Sequence, residues 1–72
     1  MGITSASAKE IAKIGANIEI TAESGYTSAS VKEILKISVS RGAHVTVHAA
    51  SYTSASLKEF ASIGKGKVTI KI

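Results

Sequence analysis

Apolar and polar positions along this chain follow two rhythms, and the pair of rhythms occurs three times. In the first, apolar residues fall three and four positions apart: Ile11, Ala12 and Ile14; Val31, Ile34 and Leu35; Leu57, Phe60 and Ala61. That spacing gathers side chains on one face of an α-helix. In the second, apolar β-branched residues alternate with polar ones: Asn17-Ile18-Glu19-Ile20-Thr21, His44-Val45-Thr46-Val47-His48 and Lys67-Val68-Thr69-Ile70-Lys71. A period of two in β-branched residues describes a strand with one buried face. The predicted order is helix–strand three times, with helices over residues 5–14, 28–40 and 54–63. Strands are predicted over 17–22, 44–49 and from 67 to the C-terminus.

The rhythms recur because the sequence does. Tyr52-Thr53-Ser54-Ala55-Ser56-Leu57-Lys58-Glu59-Phe60 has a second copy beginning at Tyr26 and a first beginning at Ile3. The chain therefore reads as one domain, 1–72, made of three repeats of about 3–25, 26–51 and 52–72. Thr4, Thr27 and Thr53 suit the helix N-cap, where a hydroxyl oxygen accepts an otherwise unpaired first-turn amide. That register also explains the apolar residue before each cap. Tyr52 with Leu57, Tyr26 with Val31 and Ile3 with Ala8 have the spacing of a hydrophobic staple. The competing register takes Ser7, Ser30 and Ser56 as caps, each with a glutamate three residues on, and leaves the staple unexplained. Gly15, Gly42 and the Gly64/Gly66 pair stand where a left-handed residue ends a helix, with Ser38-Val39-Ser40-Arg41 lengthening the second one.

Identical helix–strand units in series favour parallel strands joined by right-handed helical crossovers. The expected fold is an α/β stack of three tandem repeats (αβαβαβ), a parallel three-stranded sheet with all helices on one face, open and solenoid-like in two layers. Ile18, Ile20, Val45, Val47, Val68 and Ile70 would be covered. Asn17, Glu19, Thr21, His44, Thr46, His48, Lys67, Thr69 and Lys71 would form the open face. In unit length and layering this is loosely similar to a leucine-rich repeat, but that family's consensus and asparagine ladder are absent from all three copies.

Composition narrows the function. At 72 residues, a domain buries only about 60% of its unfolded surface, so added contacts matter. There is no cysteine and no proline, hence no disulfide and no cysteine-based metal site. No apolar run reaches the roughly 18 residues of a membrane span, and no basic start leads into an apolar stretch. A cytoplasmic setting is the expectation. A net charge of +4 permits an anionic partner without requiring one.

Candidate chemistry is sparse. Serines repeated three times in helix first turns are wanted for capping, and none has the glycine flanks of a nucleophile elbow. His44 and His48 lie four strand residues apart, roughly 13 Å, too far to share a metal within one chain; solvated histidines or a pH-sensitive contact are the readings. Lys9, Lys32 and Lys58 would line up on neighbouring helices, diluted by Glu10, Glu33 and Glu59. The helix starts, Thr4 and Ser5, Thr27 and Ser28, Thr53 and Ser54, would share one edge and offer amides and dipole ends to an anion. No phosphate-loop or dinucleotide glycine pattern accompanies them.

No catalytic residue, cofactor or metal ligand is assigned. The expected function is a non-enzymatic structural or protein-interaction unit that self-assembles into a homo-oligomer. Its contacts would be sheet edges or the open face around His44, Thr46, His48, Lys67, Thr69 and Lys71. Acidic Glu19 and Glu23 on one edge and basic Lys67 and Lys71 on the other would favour head-to-tail pairing. The alternative is a small binding module for an anion or nucleic acid, using the helix starts and lysines; aromatic or arginine readers for RNA are lacking.

Overall fold

The computed structural model describes residues 3–72. It contains α1 (Ser5–Ile14), β1 (Ile18–Ile20), α2 (Ser28–Ser40), β2 (Val45–His48), α3 (Ser54–Gly64) and β3 (Val68–Lys71). The strands form one parallel sheet in the order β1-β2-β3, with Ile18, Val45 and Val68 in register and Ile20, Val47 and Ile70 two residues on. The helices form a single layer in which α2 packs beside both α1 and α3, and the other face of the sheet is left open. Among the described residues no helix is long and apolar enough to cross a membrane.

The core lies between the layers. Ile20, Val45 and Val47 meet Ala8, Ala12, Val31, Ile34, Leu35 and Phe60, all buried, while the edge residues Ile18, Val68 and Ile70 are half-buried against them. The middle repeat is sealed on both sides because it alone has a neighbour on each.

Each helix begins with the threonine register. The Oγ1 atoms of Thr4, Thr27 and Thr53 accept the amides of Ser7, Ser30 and Ser56, each at 3.2 Å. The three threonines keep extended backbone angles, which is how a cap hands the chain into the first turn. The staple tyrosines are half-buried against the core. The Tyr52 ring meets Phe60 edge to face, with centroids 5.3 Å apart at 80°, a favourable aromatic geometry.

Two local features depart from expectation. The strands are shorter than predicted because the residues after them coil into 3-10 turns, Ala22–Ser24 and Ala49–Ser51. Those turns are closed by Ser24 N–H to Thr21 O and Tyr52 N–H to Ala49 O, both 3.1 Å. Glycine also does not end α3. Gly15 (φ 102°) and Gly42 (φ 74°) take the left-handed conformation as expected, but Gly64 remains helical and Lys65 turns left-handed at φ 47°. Gly64 instead makes room across the joint: a Cβ there would stand 2.5 Å from Val68 Cγ1. The helix end and the strand approach too closely there for any side chain.

Candidate functional site

Neighbouring repeats are joined by two series of polar contacts. Lys9 Nζ reaches Glu33 at 2.7 Å and Lys32 Nζ reaches Glu59 at 2.9 Å. In both, the lysine of one helix crosses to the glutamate of the next. A hydrogen bond from Lys9 holds the Glu33 carboxyl below its ordinary range. The predicted lysine row is thus engaged with glutamates at Lys9 and Lys32. These pairs are solvent-accessible, with the lysines half-buried, and add little stability, but they repeat the same lysine-to-glutamate step at both junctions. Tyrosine forms the second series. Tyr26 Oη donates to Ile3 O at 2.6 Å, and Tyr52 Oη donates to Tyr26 O at 2.9 Å. Burial raises the pKa of the Tyr52 phenol.

Both series stop at the ends of the stack. Among the described residues, Glu10 has no cation partner and Lys58 no carboxylate partner. On the α1 side, Ile3 is 50% exposed, Ile11 38% and Ile14 80%. Their equivalents in the second repeat are half-buried Tyr26, buried Ile34 and half-buried Ile37. What differs is the neighbour: α1 covers one side of α2, and no helix among the described residues covers the outer side of α1. A cleft of about 470 Å³ opens there between α1 and β1, lined by Ile3, Ile11, Ile18 and Ile20, with Glu19 and Glu23 also in its wall. On the α3 side, Ser54, Lys58, Ala61, Ser62 and Lys65 are exposed. Ala61 holds the position of Ala12 and Leu35, both buried.

The open sheet face is built from diagonal pairs. His44 Nε2 lies 2.6 Å from Thr69 Oγ1, and His48 Nε2 lies 2.5 Å from Glu19 Oε2. The His48 hydrogen bond, aided by the charges of His48 and Lys71, lowers the Glu19 pKa. Asn17 Oδ1 accepts the His44 amide at 2.8 Å. His44, Thr46 and His48 are half-buried, while Lys67, Thr69 and Lys71 are exposed. The expectation of solvated histidines is corrected here. Each ring leans on a neighbouring strand, because a long side chain reaches the residue diagonally opposite as well as the one directly across. Among the described residues no three His, Cys, Asp or Glu side chains cluster as a metal site.

The helix starts share one edge, as parallel helices require. The hydroxyls of Thr4, Thr27 and Thr53 already accept a first-turn amide and lie 3.2 Å from the hydroxyls of Ser7, Ser30 and Ser56. Ser5, Ser28 and Ser54 follow them as the first helical residues. Each cap satisfies one first-turn amide, and no acidic residue lies in the first turn of any of the three helices.

By sequence Ile11 and Ala61 read only as helix-face residues, and Lys58 and Glu10 only as members of the lysine row and its diluting glutamates. The signal was present in the alignment of the repeats: each is the end member of a series whose inner members are covered or paired. No protein-family model, curated protein or solved structure matches the chain.

Proposed function

We propose that the chain is a non-enzymatic structural module that self-associates through the ends of its stack. The observation that carries this reading is the α1 end. Ile3 and Ile11 line a cleft, and they and Ile14 stand exposed at positions that are at least half-buried in the second repeat. Apolar surface of this kind is stabilised by being covered, at about 25 cal/mol per Å² removed from water. A domain of this size has little stability to spare.

Sedimentation over a tenfold range of micromolar concentration tests the reading. A mass above the monomer that rises with concentration is expected; a single monomeric species at every concentration rejects it.

Binding of an anion or nucleic acid is the second reading. The net charge of +4 and the parallel helix starts support it. It ranks second because Lys9 and Lys32 are engaged with glutamates and the capping hydroxyls are occupied. Salt separates the two: association through apolar ends persists at high ionic strength, whereas phosphate binding falls steeply.

A further inference from the structure

We infer that copies of the chain join head to tail in the register of the repeats, with the α3 face of one molecule against the α1 face of the next. The inference rests on the self-association reading and adds the partner surface and its alignment. It comes from comparing the two free faces with the two faces already joined inside the molecule.

The side of α1 that meets α2 carries Ser5, Lys9 and Ala12; the free side of α3 carries Ser54, Lys58 and Ala61, the same residues in the same order. The side of α2 that meets α1 carries Ser30, Glu33, Ile34 and Ile37; the free side of α1 carries Ser7, Glu10, Ile11 and Ile14, again the same. A junction of α3 with α1 of a second copy therefore repeats the α1–α2 junction, in which Ala12 and Ile34 are fully buried. Lys58 would meet Glu10 as Lys9 meets Glu33 at 2.7 Å.

The sheet continues in the same register. Glu19 reaches His48, and His44 reaches Thr69, each two positions further along the next strand. The same step from β3 to β1 of a second copy sets Lys67 against Glu19. Two-fold alternatives are opposed by charge. Joining two α1 faces gathers Glu10, Glu19 and Glu23 from both copies, and joining two α3 faces gathers Lys58, Lys65 and Lys67; like charges set opposite destabilise. One internal contact has no counterpart: Ile3 has no hydroxyl to offer Tyr52 O. The junction between copies is thus weaker than those within one and reversible, giving a ring if the rotation closes and a filament if it does not.

Two blocked variants decide the matter. Ala61→Glu adds a carboxylate at an exposed site of α3, and Ile11→Glu adds one at the α1 face. Circular dichroism verifies that each folds, with Glu10→Lys as the α1-end block if Ile11→Glu does not. An unpaired charge driven into the junction should weaken association by at least about tenfold. Each variant alone should sediment as a monomer where the parent chain assembles. A 1:1 mixture should form a dimer and stop there, because it retains one intact α3 face and one intact α1 face. Assembly of Ala61→Glu at the parent level, or a mixture that stays monomeric while the parent assembles, overturns the head-to-tail register and leaves self-association standing. A monomeric parent removes both.

Discussion

Ile11 and Phe60 occupy the same repeat position at opposite ends of one small stack, and their surroundings are opposite. Phe60 is fully buried, with α2 on one side and the Tyr52 ring on its edge. Ile11 is 38% exposed beside an open cleft. The same position in the helix and the same apolar character thus yield core at one end and surface at the other. Burial in a repeat protein is set by the neighbour as much as by the residue, and among the described residues no helix packs on the outer side of α1.

Truncation should break this comparison most sharply. Phe60→Ala is expected to cost about 3–5 kcal/mol, the usual loss for an aromatic core residue. Ile11→Ala should cost about 1–2 kcal/mol, since part of its surface is already wet. Denaturant unfolding of the monomeric species measures both, and equal losses would show that the ends are equally packed.

The helix C-termini give the next contrast. Gly64→Ala should cost about 1–3 kcal/mol, because its methyl meets Val68. In a double-mutant cycle part of the loss should return with Val68→Gly but not with Val68→Ala, because the Val68 Cβ itself would stand 2.6 Å from the added methyl. Gly15 has open space around it, and only its left-handed backbone resists substitution. Gly15→Ala should therefore cost about 1 kcal/mol, with no rescue from the strand.

The caps provide a control. Thr4→Ala and Thr53→Ala should each cost about 1 kcal/mol, since the cap bond is 3.2 Å at both ends. Unequal losses in thermal melts would mean that the ends differ in backbone as well as in neighbours. Lys65→Gly should stabilise α3 by about 0.5–1 kcal/mol, by relieving a left-handed lysine.

The smallest effect is at the β1 edge. Glu19 is held below its ordinary pKa of 4.5 mainly by His48. A carboxyl with a lowered folded pKa contributes stability above its unfolded pKa and loses it as pH falls through the folded value. The Glu19 carboxyl titration followed by NMR should have its midpoint below 4.5, and His48→Ala should bring it back toward that value.

Much of the fold was legible in local chemistry. The threonine caps, the apolar stripe and the β-branched alternation agree at every level, and consistent signals of this kind specify elements well. Turns after β1 and β2 are legible in Glu23-Ser24-Gly25 and Ala50-Ser51; only their early start, at Ala22 and Ala49, was hidden, because Thr21-Ala22 and His48-Ala49 have no strong turn residue. The left-handed Lys65 was hidden because glycine, present next to it as Gly64, is the residue that suits a left-handed cap, and the close approach of Gly64 to Val68 is invisible in sequence. The contacts between repeats were least legible. Nothing in one repeat reveals that its lysine crosses to the next glutamate, since that depends on how far neighbouring helices are offset. The candidate site was obscured for the same reason: Glu10 and Lys58 stand out only once Lys9–Glu33 and Lys32–Glu59 are seen.

The tyrosine contacts also run one way along the chain. Tyr26 donates backward to Ile3 O, and Tyr52 donates backward to Tyr26 O, across 23 and 26 residues. A chain growing from its N-terminus on the ribosome presents each acceptor carbonyl before the hydroxyl that uses it.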